Sequence, residues 1–155
     1  VRNVGMSHSF VGLMTAVWLR QAAVVQLRAQ GLACAAIVTA GVRNATTAGK
    51  SLPFAQPTEP GTINVVLLVD AHLTSPAMVN AVITATEAKA DVLREWGIVT
   101  EEGFQATGTS TDAIVVACAT NHAPIEYAGP ATPVGYLIGR CVRQGLAEAL
   151  NAYSS

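Results

Sequence analysis

Residues 106–119, A-T-G-T-S-T-D-A-I-V-V-A-C-A, pass abruptly from polar to apolar side chains. The first half holds hydroxyl residues and a glycine, which are typical of a turn, and the second half holds β-branched residues that favour a packed strand. A loop ending in Asp112 is therefore predicted to lead into a core strand. Because four consecutive side chains, at 109–112, can form hydrogen bonds, this loop is the first candidate for a functional site.

Other strands are predicted on the N-terminal side of this stretch. Residues 22–29 and 32–42 are β-capable runs separated by Q-G at 30–31, the pattern of a hairpin. Residues 63–69, I-N-V-V-L-L-V, form a nearly continuous apolar run that is typical of a central strand. The segment between them, residues 43–60, contains three prolines and is predicted to be a long loop.

Three helices are also predicted. The first begins at Ser9 and ends near residue 21, and its apolar residues recur at helical spacing: Phe10, Leu13, Met14 and Val17. The second begins with an N-cap at Ser75, is followed by Pro76 and stops near Gly97. The third begins at Thr132-Pro133 and extends to about residue 152.

This order of elements predicts one domain over residues 1–155, of the α/β or α+β class. The expected architecture is a layered sandwich with a mixed β-sheet packed against helices. Only 12% of the residues are charged and 51% are hydrophobic, a composition that favours a homo-oligomer in which further surface is hidden.

Charge and cysteine content restrict the class of function. The net charge is -1 and the chain has no block of Lys or Arg, so nucleic acid is not an expected partner. The apolar run between Arg28 and Arg43 is too short for a membrane span of about 20 residues, and no membrane is expected either. Cys34, Cys118 and Cys141 are widely spaced in apolar surroundings, which predicts reduced core thiols and a cytoplasmic protein.

Three charged residues are candidates for chemistry. Lys89 lies in the middle of the apolar arc of the second helix, where its ammonium must reach water, pair with a carboxylate or lose its proton. Glu87 lies on the polar arc, the usual position of a solvated side chain. Asp112 either caps its own turn or acts on a substrate. The pattern alone leaves these alternatives open.

No metal or other cofactor is predicted. His8, His72 and His122 lack metal-ligand spacing with Cys or carboxylate residues. The loop T-G-T-S-T precedes a strand and lacks the lysine of a phosphate-binding loop, so nucleotide binding is not expected either.

Six short motifs follow one another along the chain. They are V-G-L-M-T-A at 11–16, T-A-G-V-R-N-A at 39–45, G-T-I-N at 61–64, T-A-T-E-A-K at 84–89, A-T-G-T-S-T-D-A-I-V-V-A at 106–117 and Y-A-G-P-A-T-P-V-G at 127–135. In this order they resemble the adenosylcobinamide amidohydrolase (CbiZ) family, and the resemblance runs from about residue 10 to 150.

The resemblance implies a cytoplasmic corrinoid-salvage enzyme that needs no cofactor. Such an enzyme hydrolyses the amide between the aminopropanol arm and the corrin ring of adenosylcobinamide and releases adenosylcobyric acid. It implies catalytic roles for Asp112, Glu87 and Lys89: a carboxylate activates a water or a threonine hydroxyl, and the ammonium stabilises the oxyanion or protonates the leaving nitrogen. The implied substrate-binding residues are Asn44, Thr62, Asn64, Thr107, Gly108, Thr109, Ser110, Thr111 and Gly129.

Two features depart from the family pattern. Ser110 stands where the family usually has glycine. Family members also usually carry an additional N-terminal segment with an Asn-Gly-Gly stretch, and this chain starts after it. Two alternatives therefore stay open beside the amidohydrolase: a truncated paralogue that binds a corrinoid without hydrolysing it, and an amidohydrolase of the same family that acts on another amide.

Overall fold

The computed structural model describes residues 10–52, 61–121 and 123–154. Along the chain its elements are a short 3-10 turn at Leu19–Gln21, then β1 (Ala23–Ala29), β2 (Leu32–Ala40), β3 (Ala45–Thr46), β4 (Ile63–Val69), β5 (His72–Leu73), α1 (Ser75–Glu95), β6 (Gly108–Thr109), β7 (Ala113–Cys118), β8 (Pro124–Ile125) and α2 (Pro133–Ser154).

Four of these strands form a mixed sheet in the order β1-β2-β4-β7. The first two pairings are antiparallel, and β4 pairs with β7 in parallel. The predicted mixed sheet packed against helices is therefore confirmed. The apolar run at 63–69 is β4, which lies in the interior of the sheet as predicted.

The predicted hairpin is also confirmed. β1 and β2 pair along their whole length, from Ala23 opposite Val38 to Ala29 opposite Leu32. Gln30 and Gly31 connect them with positive φ angles of 51° and 77°. Two successive residues in the left-handed region make the tight turn whose twist suits two antiparallel strands.

Both helices cover the same face of the sheet. α2 packs on β1 and β2, and α1 lies beside α2 and reaches β7. The core between these layers contains fully buried side chains from each element, among them Val38, Ile63, Leu67, Leu93, Ile138, Val142 and Leu146. The opposite face of the sheet leaves Val24, Ile37 and Leu68 exposed. The fold is thus a two-layer α/β arrangement.

The two long helices begin and end close to the predicted residues. The N-cap of α1 is Thr74, one residue before the predicted Ser75, because its hydroxyl accepts a hydrogen bond from the N–H of Ala77 at 3.4 Å. Gly97 follows the end of α1 with a φ of 63°, as the predicted stop requires. α2 starts at Pro133 as predicted and ends at Ser154.

The predicted first helix is wrong. Residues 10–18 contain no helix, and Ser9 lies outside the described residues. Phe10 and Met14 are 70% and 93% exposed, although both were expected on a buried face. The main-chain carbonyl of Met14 instead accepts a hydrogen bond from Asn64 Nδ2 at 2.7 Å. A tertiary contact to the sheet replaces the internal hydrogen bonds of a helix, because a short helix without a packed face is unstable.

The loop predicted at 43–60 and the buried face predicted for α1 differ in part from the structure. The loop predicted at 43–60 includes β3, which pairs with β6, and residues 53–60 lie outside the described part. Helical spacing also predicts that Val82 and Trp96 lie on the apolar arc of α1, but each is 38% exposed, so the buried face is narrower than predicted. Lys89 is buried on that face, as its place in the arc indicated.

Gly135 on α2 gives a test of the close approach between this helix and the turn that precedes it. A Cβ at this position would overlap Gly129 O and lie 2.6 Å from Ala128 O. Gly135→Ala is expected to lower the free energy of unfolding by about 1–3 kcal/mol, because backbone atoms cannot move away cheaply.

Gly139, one turn later on the same helix, is the matched control. A Cβ there would only touch Thr84 Cγ2 at 3.9 Å, an ordinary contact. Gly139→Ala is expected to keep or raise stability by up to about 1 kcal/mol, through the higher helix propensity of alanine. Urea denaturation of both variants checks the pair, and equal effects would contradict the close approach.

Candidate functional site

A hollow of about 530 Å³ lies where β4 and β7 begin. One wall consists of the two strand starts, and the other wall is the chain segment 12–16, which runs past them. The lining residues outside that segment are Asn44, Gly61, Thr62, Asn64, Ser110, Thr111 and Ala113. None of the described lining residues is charged, so the hollow offers hydroxyl, amide and main-chain groups only.

The parallel pairing of β4 with β7 brings the two strand starts together. In this register Asn64 lies beside Ala113. The Thr62 hydroxyl donates to the main-chain carbonyl of Thr111 at 2.9 Å, and the Thr111 hydroxyl donates to that of Gly61, also at 2.9 Å. These reciprocal bonds hold the 108–112 loop against the start of β4.

Asp112 and Lys89 form a buried ion pair directly behind this wall. The exposed fractions of their side chains are 13% and 8%, and Lys89 Nζ donates to Asp112 Oδ2. Of the alternatives open for Lys89, the structure therefore shows pairing with a carboxylate. An ion pair at this depth is sensitive to the loss of either partner, because the remaining charge has no water to solvate it.

The carboxylate of Asp112 also organises its own loop. Oδ1 accepts hydrogen bonds from the Thr109 hydroxyl and from Ile63 N, the latter at 3.0 Å. Oδ2 accepts one from Thr109 N at 3.2 Å in addition to that from Lys89. A Cβ at Gly108 would overlap Asp112 Oδ2 and lie 2.7 Å from Lys89 Nζ, so only glycine leaves room for the pair.

Asn44 connects the two strand starts on the side of the hollow. Only 7% of the residue is exposed, and its Nδ2 donates to Gly61 O at 2.7 Å and to Ser110 Oγ at 2.8 Å. Its Oδ1 is buried without a hydrogen-bond partner among the described residues. A Cβ on Gly61 would overlap this oxygen. The amide oxygen therefore lies against the glycine, where a weak C–H···O contact is the available interaction.

The structure divides the sequence-predicted site residues into groups. Asn44, Thr62, Asn64, Ser110 and Thr111 line the hollow. Directly behind them are the four residues of the ion-pair cluster: Gly108, Thr109, Asp112 and Lys89.

Thr107 lies further from the hollow, at the start of the loop. Its hydroxyl accepts a hydrogen bond from Ala48 N at 3.0 Å, and its N–H donates to Thr46 O at 2.9 Å. These contacts join the loop to the small β3–β6 ladder, so Thr107 supports the loop from outside.

Glu87 and Gly129 are not brought to this hollow. Glu87 is exposed and lines a second hollow of about 340 Å³ between α1 and α2, together with Asp91 and Arg143. Hydrogen bonds from Arg94 and Arg143 lower the pKa of Asp91 there. Gly129 belongs to the turn before α2, where its carbonyl accepts a hydrogen bond from the Thr132 hydroxyl at 2.9 Å.

Sequence reasoning missed the wall formed by residues 12–16. Its motif V-G-L-M-T-A contributed to the family resemblance, but the helical spacing of its apolar residues led to the wrong element. The signal that could have identified it is Gly12, which is unfavourable inside a helix.

Metal clusters and membrane-spanning helices were two further possibilities for the described residues. No three side chains of His, Cys, Asp or Glu in this part of the chain come together in a way that could hold a metal ion. Neither of the two long helices is sufficiently apolar to cross a membrane. The three cysteines are free thiols, with Cys34 and Cys141 buried in the core.

Comparison with known proteins identifies the family. The family described as adenosylcobinamide amidohydrolase, CbiZ, matches residues 1–155. The chain belongs to the CbiZ family. No solved structure shows a significant match to this CbiZ chain.

Three curated relatives are similar to this CbiZ chain. An adenosylcobinamide amidohydrolase of Methanosarcina mazei is 32% identical over 158 residues, which cover 96% of this chain and 70% of that protein. One of Halobacterium salinarum is 37% identical over 123 residues, or 76% of this chain and 50% of that protein. An uncharacterized protein of Methanocaldococcus jannaschii is 40% identical over 94 residues, which cover 59% of this chain and 36% of that protein. The matches to the last two thus span half or less of those proteins.

The buried pair leads to a stability prediction. Lys89→Met and Asp112→Asn are each expected to lower the free energy of unfolding by about 3–5 kcal/mol, because each leaves a buried charge without its partner. The double variant should lose less than the sum of the two single losses. Urea denaturation of the four proteins measures this coupling.

The exposed pair of Arg94 and Asp91 on α1 is the matched control. Arg94→Met is expected to change stability little, because water and salt screen an exposed ion pair. Strict additivity of the Lys89 and Asp112 variants would show that the two side chains do not interact in the folded protein.

Proposed function

We propose that this chain hydrolyses the aminopropanol amide of adenosylcobinamide and releases adenosylcobyric acid, in corrinoid salvage. Family membership and the names of two relatives support amide hydrolysis as the class of reaction. The observation that carries the proposal is the uncharged polar hollow, which has the buried pair of Asp112 and Lys89 directly behind its wall.

The hollow suits an amide better than a charged group. An amide presents a carbonyl acceptor and an N–H donor, and both kinds of partner occur among the hydroxyl and carboxamide groups of Thr62, Asn64 and Ser110. A carboxylate or a phosphate would need a cation, and the described lining has none. An uncharged substrate arm is therefore the best match to this chemistry.

The size of the hollow agrees with an arm of the substrate and not with the whole molecule. A volume of about 530 Å³ is within the range of pockets for drug-sized ligands. A corrin macrocycle with its several arms is larger than such ligands. In the proposed complex the aminopropanol arm enters the hollow, and the ring stays outside, next to segment 12–16.

The cluster behind the wall contains the parts that hydrolysis of an amide needs. The Thr109 hydroxyl donates to Asp112, and Lys89 holds the other oxygen of that carboxylate. A hydroxyl beside a base that is oriented by a third group is the usual arrangement for nucleophilic attack. In the proposed mechanism Asp112 accepts the proton of the attacking hydroxyl, from Thr109 or from water, and returns it to the leaving amine. Attack by water gives the acid directly, whereas attack by Thr109 gives an acyl ester that a water hydrolyses in a second step.

Lys89 and Glu87 have different places in this proposal. Lys89 keeps Asp112 in position, since its ammonium pairs with that carboxylate. Glu87 is exposed on the other side of α1 and lines the second hollow. The base is therefore assigned to Asp112.

Two accompanying proposals concern setting and assembly. The three free cysteines support a cytoplasmic protein, because thiols persist in a reducing compartment. The exposed Val24, Ile37 and Leu68 on the open face of the sheet support a homo-oligomer.

A second candidate function is binding of a corrinoid without hydrolysis. The matched regions cover only 36% and 50% of two relatives, so those proteins contain further residues with no counterpart in the match. An amide other than that of adenosylcobinamide is also compatible with the uncharged hollow.

Incubation of the purified protein with adenosylcobinamide tests the proposal, with mass spectrometry to detect adenosylcobyric acid. We expect product, and we expect Asp112→Asn to lower kcat by about 100-fold or more, since a positioned base contributes about 10²–10⁴-fold. Glu87→Gln should retain turnover.

Three results would count against this assignment. Binding without product favours the second candidate function. Loss of turnover in Glu87→Gln, with full turnover in Asp112→Asn, would transfer the base role to Glu87. Turnover of simpler carboxamides at a higher rate would point to another substrate.

A further inference from the structure

We propose that the Ser110 hydroxyl donates a hydrogen bond to the carbonyl oxygen of the amide that enters the hollow. This inference rests on the proposed function and assigns the atom that recognises the reacting group. The hydrogen-bond partners of each hydroxyl in the hollow determine where its proton can point.

The hydrogen-bond partners of Asn44 determine the orientation of its amide. Nδ2 lies 2.7 Å from the main-chain carbonyl of Gly61, an oxygen that can only accept hydrogen bonds. The nitrogen and not the oxygen of the amide must therefore face Gly61. The same nitrogen lies 2.8 Å from Ser110 Oγ, so at this contact the serine oxygen accepts. The Ser110 proton must point in another direction.

The neighbouring threonine hydroxyls differ from Ser110 in this respect. Thr62 and Thr111 both donate to main-chain carbonyls at 2.9 Å, so their protons are already used. Among the described residues none accepts a hydrogen bond from the Ser110 hydroxyl. Ser110 is exposed and lines the hollow, so its O–H is available to a ligand.

This donor is held in place before a ligand arrives. Asn44, which is only 7% exposed, is held by its hydrogen bond to Gly61. The reciprocal hydrogen bonds of Thr62 and Thr111 hold the loop next to Ser110. A donor of fixed orientation stabilises negative charge on a carbonyl oxygen more in the transition state than in the ground state. Removal of the Ser110 hydroxyl is therefore expected to lower kcat and also to weaken binding.

The same geometry argues against Ser110 as the nucleophile. Among the described residues no carboxylate or other base accepts the Ser110 proton, and the hydrogen bond that its oxygen accepts from Asn44 Nδ2 lowers the nucleophilicity of that oxygen. Ser110 thus forms no covalent bond in the proposed reaction. The contribution of its hydroxyl should be moderate, because a single neutral hydrogen bond has a modest net effect.

The experiment compares Ser110→Gly, Ser110→Ala and Ser110→Thr with the unchanged chain, using adenosylcobinamide. The glycine and alanine variants are expected to lose about 10-fold in kcat/KM, the usual effect of one neutral hydrogen bond. The threonine variant keeps the hydroxyl and should recover most of the activity. Ser75→Ala, an exposed serine at the start of α1, is the matched control and should not change turnover.

Thermal unfolding of the same variants distinguishes ligand contact from a structural role. Ser110 is exposed, and the glycine variant loses only its hydrogen bond from Asn44, so its Tm should fall by about 2–4 °C at most and it should stay folded at the assay temperature while it loses activity. Equal kcat/KM in all Ser110 variants would overturn the inference and leave the proposed function intact.

If the unchanged chain shows no turnover, the proposed hydrolysis fails and the affinity for adenosylcobinamide becomes the readout, measured by visible absorption. A several-fold higher Kd of Ser110→Gly, with Ser110→Thr unchanged, would then support the contact. Unchanged affinity in Ser110→Gly, or no binding by the unchanged chain, would overturn it.

Discussion

The buried ion pair of Lys89 and Asp112 is the interaction on which the candidate site depends. It joins α1 to the loop before β7, and the same carboxylate holds Thr109 and the start of β4. Removing two charges from water has a large desolvation cost, and four hydrogen bonds to the carboxylate offset it. One side chain therefore connects a helix, a loop and a central strand at the edge of the hollow.

Sheet topology explains why the polar groups meet at this place. β4 and β7 are parallel, so their N-terminal ends lie at the same edge of the sheet. Ile63 and Asp112 are hydrogen-bonded there, although they are 49 residues apart in the sequence. An antiparallel pairing would have placed the two strand starts at opposite edges. The hollow is thus a direct result of the crossover through α1.

Much of the fold could be predicted from local signals, whereas the site depended on tertiary contacts. Local sequence was sufficient to predict β4 from its apolar run, the β1–β2 hairpin from Gln30-Gly31, and the starts of α1 and α2 from their prolines. The helix predicted for residues 10–18 was wrong because apolar residues at helical spacing form a helix only where another surface can bury its apolar face. Here a hydrogen bond from Asn64 to Met14 holds the segment along the sheet instead.

Glu87 and Lys89 belong to one short motif but lie on different sides of α1. At about 100° per residue, Glu87 and Lys89 lie some 200° apart around the helix, so both cannot face one pocket. Helical geometry alone conflicts with a shared role for them, and the structure places Glu87 in the second hollow. Helical geometry could not identify Asp112 as the partner of Lys89, because Asp112 lies in a loop outside α1, 23 residues further along the chain.

The two walls of the hollow are held in place by different contacts. One consists of strand ends fixed by the core, and the other, segment 12–16, contacts the sheet through side-chain hydrogen bonds such as that from Asn64 to Met14. Changes in that segment can alter the width of the hollow with little effect on the core. Ligand range and thermal stability are therefore separable properties, and related chains can diverge in the first while they conserve the second.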